Sequence, residues 1–128
     1  MNLKRPRGFL RFGGGIIFII GLLGIAGLMG PSPAQSIFHS YWWLGERESL
    51  AFFIVGLALV FISFAAPAIL QRYIVIIFGI FEILIGLYVF FDRSIFGISL
   101  ENPSDLVLHL FIGGWALYSV YGKNQMKR

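Results

Sequence analysis

The chain predicts an all-α membrane protein: a four-transmembrane-helix bundle made of two tandem helical hairpins, with a short interfacial segment between helices 1 and 2. Three observations predict it. Hydrophobic residues make up 58% of the 128 positions and charged residues only 12%, with a mean hydropathy of +0.84. Soluble domains run at about 45–50% apolar and about 25% charged. Four apolar runs approach the roughly 20 residues that cross a hydrocarbon layer of about 30 Å. The basic residues are also segregated between alternate connections. Such a composition excludes a compact soluble globule and a disordered chain. The lack of cysteine excludes disulfides and thiolate metal sites.

The first run is Phe12 to Met29, ended by Gly30-Pro31-Ser32-Pro33. It has no clean small-x-small cleavage site and three more runs follow, so it is read as a span and not as a signal peptide. The second is Leu50 to Leu70, with Pro67 near its end, where the missing N–H is expected to kink or fray the last turn. Gln71-Arg72 is expected to form a tight turn before the third run, Tyr73 to Phe91, which Asp92-Arg93 ends. The fourth is Leu106 to Tyr121, stopped by Lys123-Asn124-Gln125. The whole chain is thus one integral membrane domain, residues 1–128. Between the first two spans, Pro33 to Leu44 carries Ile37, Phe38, Tyr41, Trp42 and Trp43. Tyr and Trp gather at membrane interfaces, so a short interfacial helix or cap is expected there.

With both termini on one side, that side holds Lys4, Arg5, Arg7, Arg11, Arg72, Lys123, Lys127 and Arg128 and no acid. The other side holds Arg47 and Arg93 against Glu46, Glu48, Asp92, Glu101 and Asp105. The positive-inside rule makes the basic side cytoplasmic. The net charge of +4 is then explained by insertion and by attraction to anionic lipid, and nucleic acid is not an expected partner. A bacterial inner or internal membrane is the expected location.

The halves look related. Phe53-Ile54-Val55-Gly56-Leu57-Ala58-Leu59 matches Phe111-Ile112-Gly113-Gly114-Trp115-Ala116-Leu117 at five of seven positions, and Arg11-Phe12 parallels Arg72-Tyr73. This is the pattern of tandem parallel hairpins, unlike the inverted repeats of many transporters. A competing match, Ser32 to His39 against Asn102 to His109, needs another register.

Glu82 stands in mid-run in Ile80-Phe81-Glu82-Ile83-Leu84. A carboxylate at the centre of a span costs at least about 2.5 kcal/mol, so it is expected to face the bundle interior. In its neutral form it donates one hydrogen bond and accepts others. At about 1.5 Å per residue, it lies level with Ser63, Gly21 and Gly114-Trp115. Ser63 and the Trp115 ring N–H are its expected partners. The functional reading is a proton- or ion-coupling site; the plainer one is a carboxyl that pins helix packing.

His109 follows Asp105 by four residues, so both share a helix face. Ser104 or Asp105 is placed to cap the helix. The functional readings are a pH-sensing pair, or an axial ligand to haem iron or chlorophyll magnesium. The plainer one is an interfacial histidine bonded to Asp105 or to a loop carbonyl. No cofactor is required by the sequence. His39, the other histidine, lies outside the spans. Gly13-Gly14-Gly15 has no following Lys-Ser/Thr and is not a phosphate loop. With no nucleophile–base–orienter set and short loops, a non-catalytic protein is expected. Glycine and aromatic faces suit lateral packing, as a homo-oligomer or an accessory or structural subunit of a larger membrane assembly.

The segment Leu100, Asn102, Asp105, His109-Leu110 and Gly113, with Gly97 before it, resembles an uncharacterised bacterial four-span membrane family, domain of unknown function 4383. An asparagine frequent in that family three before the histidine is Leu106 here. The His-Leu start of its first half is replaced by Ala51-Phe52-Phe53. The resemblance implies the four-span plan and no activity.

Overall fold

A computed structural model describes residues 5–39, 42–88, 94–95, 98–99 and 103–122; side chains in the first turn of the last helix, Asp105 among them, are outside the description. The architecture is all-α. Helix α1 runs Pro6–Ile25, α2 Glu46–Ala65, α3 Ala68–Tyr88 and α4 Pro103–Tyr121. A minimal antiparallel pair, β1 (Ser94–Ile95) and β2 (Ile98–Ser99), lies between α3 and α4. α1 packs chiefly on α2, and α3 on α4, which gives the two tandem hairpins expected. Helices α1 to α3 are each long and apolar enough to cross a membrane, and Leu106–Tyr121 of α4 is a shorter apolar helix. These features mark a multi-pass membrane protein. Apolar side chains such as Phe61, Phe64, Ile77 and Val107 point outward, as lipid requires.

Each helix turns a narrow stripe inward. On α3 it is Gln71, Val75, Gly79, Glu82 and Gly86. On α2 it is Ser49, Phe52, Gly56, Leu59 and Ser63, with Glu48 alongside. Steps of three and four residues keep such a row on one face of a helix. The glycines let backbones meet. A Cβ on Gly56 would strike the Phe18 backbone, and one on Gly14 would come within 3.1 Å of the Gly56 carbonyl oxygen. A Cβ on Gly79 would lie 3.2 Å from the Gly113 carbonyl oxygen. Close approach through small residues is the usual basis of helix association in membranes.

Two expectations are corrected. The first helix begins at Pro6, not Phe12, and Phe9 and Leu10 are fully buried. Proline suits a first helical turn, where its missing N–H has no partner to lose. A π-turn over Phe9–Gly13 then holds the Phe9 ring against Gly13. That ring packs on Phe78 (6.0 Å between centroids) and edge-on to Trp115 (5.2 Å).

The second correction is the turn between hairpins. It falls at Ala66-Pro67, and Gln71-Arg72 lies in α3. A residue before proline is pushed out of the helical region, and Ala66 is extended at φ −91°, ψ 147°. The carbonyls that Pro67 strands are bonded by Gln71. Its side-chain amide donates to Ala66 O at 2.9 Å, Ser63 O at 3.2 Å and Ile62 O at 3.4 Å.

The segment before α2 takes the second of the two forms expected for it. It is a folded cap: a 3₁₀ turn at Pro33–Gln35 and a bridge between Met29 and Ser36. The buried Ser36 hydroxyl donates to Trp42 O at 2.6 Å, and the Leu44 N–H donates to Met29 O at 2.6 Å. Gly30 (φ +148°) has the Leu44 carbonyl against the place of a Cβ, so a side chain there is barred twice.

Candidate functional site

Glu82 falls on the inward stripe of α3, between Gly79 and Gly86. Gly86 stands opposite His109 and Leu110, and Gly79 opposite Gly113, Ala116 and Leu117. His109 itself begins the inward stripe of α4, followed by Ile112 and Ala116. The antiparallel register thus sets Glu82 about one turn from His109, and two long side chains close that gap. His109 Nδ1 and Glu82 Oε2 are hydrogen-bonded. Glu82 is 8% and His109 5% exposed. Two bare lone pairs would repel, so the contact carries a proton: imidazole N–H donates to carboxylate, or carboxyl O–H donates to the ring.

The Phe52 ring of α2 stands edge-on to the imidazole at 5.9 Å, so the first hairpin closes one side of the pair. His109 Nε2 is buried and has no hydrogen-bond partner among the described residues. A carboxylate on one ring nitrogen is also how metal-ligating histidines are held, leaving the other nitrogen to the metal. Nε2 is therefore the atom that would take a haem or chlorophyll metal. The described groove nearby is lined by Leu110 and Phe111 and not by His109. Among the described residues no three His, Cys, Asp or Glu side chains cluster as metal ligands.

Ser63, one of the partners expected for Glu82, is placed elsewhere. The Ser63 hydroxyl donates to Val60 O at 2.6 Å and accepts from Arg11 Nε at 3.3 Å. Arg11 also lies over the Phe64 ring, 3.9 Å from its centroid. Ser63 thus belongs to the capped end of α2 with Arg11 and Gln71. Trp115 packs on Phe9 and on Phe111. Depth counting put Ser63 level with Glu82, but Ser63 O accepts from Gln71, eleven residues before Glu82 on the same helix and about 16 Å away along its axis. The backbone of Asp105 lies in the first turn of α4, and its expected pairing with His109 falls outside the described side chains. His39 lies in the cap, exposed, at φ +54°.

Among the described residues, five buried polar ones escaped the sequence reading, one of them Ser119, whose hydroxyl donates to Ala116 O at 2.6 Å. Gln71 was taken for a turn residue; the signal was Pro67 four positions earlier, which leaves carbonyls in need of a donor. Ser36 ties the cap. Glu48 and Ser49 are each 2% exposed in the first turn of α2, where the positive end of the helix dipole favours an acid. Ser49 sits on the stripe and touches the position of Gly24. No protein-family model, curated protein or solved structure matches this chain.

Proposed function

We propose that this chain is a non-catalytic accessory or structural subunit that packs laterally within a larger membrane assembly, with four crossings and both termini in the cytoplasm of a bacterium. One observation carries the reading. Gln71, Arg11 and the Glu82–His109 pair are bonded within the chain, although His109 Nε2 and Ser49 Oγ have no hydrogen-bond partner among the described residues, and the outward faces of the helices are broad and apolar. In a membrane such faces meet lipid or neighbouring helices, and small residues with open space over them, such as Gly15 and Gly114, favour close lateral packing. The orientation is supported by Arg7, Arg11 and Arg72 at the end of the bundle near Pro67, and by Glu46 and Glu48 at the other. Mildly solubilised native membranes should show the protein migrating with a larger complex; a free monomer at native expression would overturn the reading. The resemblance to domain of unknown function 4383 assigns no activity and adds nothing to this role.

A second reading is favoured by the pair itself. A carboxyl and an imidazole in contact inside a membrane bundle are the elements of proton-coupled transport. It predicts proton flux in proteoliposomes that Glu82→Gln abolishes. Flux that survives the substitution removes Glu82 from any such mechanism.

A further inference from the structure

Inward glycines such as Gly56, Gly79 and Gly113 have a neighbouring helix where a Cβ would be, whereas Gly114 lies on the exposed face of α4, where a Cβ, as at Gly15 of α1, meets nothing within 4 Å. Gly114 instead forms the floor of an open apolar groove of about 660 Å³, with Leu110, Phe111, Trp115 and Tyr118 along α4 and Ile16 of α1 across from them. That volume is in the range of small-ligand sites, about 300–1,000 Å³. At about 100° per residue, Tyr121 lies on the same face as Leu110, Gly114 and Tyr118. The Arg72 guanidinium lies over the Tyr121 ring, 5.7 Å from its centroid. The face therefore leads from apolar groove to exposed cation. From Leu110 to Tyr121 the rise is about 16 Å at about 1.5 Å per residue. That is about half the hydrocarbon thickness of about 30 Å, the depth of one leaflet.

We propose that this groove seats one acyl chain of an anionic phospholipid, whose phosphate is held by Arg72. Three features favour lipid over a partner helix. The face from Leu110 to Tyr121 has the depth of a single leaflet, the groove occupies its Leu110 to Tyr118 part and leads toward the Arg72 cation over Tyr121, and Arg7, Arg11 and Arg72 have no acid beside them among the described residues at that end of the bundle. Basic residues beside a span attract anionic headgroups. The proposal rests on placement in a membrane and not on the subunit role, so a chain found to be a free monomer leaves it standing.

The test is native mass spectrometry of the detergent-purified chain with dioleoylphosphatidylglycerol or dioleoylphosphatidylcholine. One bound phosphatidylglycerol is expected, retained about fivefold better than phosphatidylcholine, the effect of one cation near a membrane surface. Arg72→Gln should bring that ratio close to one. Gly114→Leu fills the floor and should lower retention of both lipids. Phe111→Ala, which removes a wall without adding bulk, should also lower it, with helical circular dichroism checking the fold. Equal retention of the two lipids by the unmodified chain, or retention untouched in Gly114→Leu and Phe111→Ala, overturns the proposal. Loss of a larger complex in Gly114→Leu with lipid retention intact would assign the groove to a partner helix and overturn it equally.

Discussion

The two hairpins close through the same contacts but differ at their centre. Gly14 faces Gly56, Leu59 and Val60 in the first; Gly79 faces Gly113, Ala116 and Leu117 in the second. Gly21 faces Phe52 and Phe53, and Gly86 faces His109 and Leu110. The offsets are constant: 65 residues between outgoing helices and 57 between returning ones. In that correspondence Glu82 takes the place of Ile17, and His109 the place of Phe52, both buried apolar residues. One scaffold thus holds an apolar pair in one copy and a hydrogen-bonded polar pair in the other. The packing does not need the polar pair, because the first hairpin closes without one. Its presence in the second is the observation behind the proton-coupled reading proposed above.

The largest effect that can break this comparison is a cation at residue 82. Glu82→Lys should cost the about 3–5 kcal/mol of a broken buried pair and the further penalty of a charge in mid-span. It should give no monodisperse protein in detergent, while Glu82→Gln, which keeps a hydrogen-bonding group, should purify normally. Equal thermal stability of the two would contradict an inward Glu82. Next come the exchanges that turn the second hairpin into the first. Glu82→Ile and His109→Phe alone should each lose about 3–5 kcal/mol, yet the double variant should match or exceed the parent by about 1–4 kcal/mol. Denaturant unfolding in detergent, followed by helical circular dichroism, reads this; simply additive losses would mean that the two sites are not equivalent.

The glycines sharpen the comparison at smaller scale. Gly21 meets backbone atoms of Phe52 and Phe53, whereas Gly86 meets the Leu110 side chain at 2.9 Å, which is able to shift. Gly21→Ala should therefore destabilise by about 1–3 kcal/mol as overpacking does, and Gly86→Ala by less. The reverse order in melting temperature would count against the closer backbone contact in the first hairpin. The smallest effect belongs to Arg11, whose counterpart in the second hairpin is Ile76. Arg11→Gln weakens one cap of α2 and should cost about 0.5–1.5 kcal/mol by the same measurement.

The hairpin order and the inward Glu82 were legible because hydropathy and the cost of a charge in lipid act on sequence directly. Gln71 was not: next to Arg72 it reads as a polar turn, and only the turn at Pro67 makes it an interior amide. The repeat was legible but out of register, by one residue in the returning helices and by four in the outgoing ones, where sequence pairs Arg11 with Arg72 and packing pairs it with Ile76. Sequence aligns Phe53 with Phe111, whereas packing aligns Phe53 with Leu110, because apolar helices share few residue types and contact glycines set the register. The Glu82–His109 pair was missed for want of direction. Both residues were singled out, but their faces were fixed only once Gly79, Gly86 and Gly113 brought α3 and α4 together. Phe9 and Leu10 fall outside the span read from Phe12, because a basic run surrounds these two wholly buried side chains.

The start of α1 has a mechanical consequence. Pro6–Gly8 and the π-turn touch α2, α3 and α4, and the Phe9 ring wedges between Phe78 and Trp115. The chain crosses between hairpins at Pro67, near the same end. Tongs riveted at one end part at the other, so relative movement of the two arms would be widest beside the cap and least around Phe9. A short N-terminal truncation would then loosen the rivet while leaving each arm closed on itself.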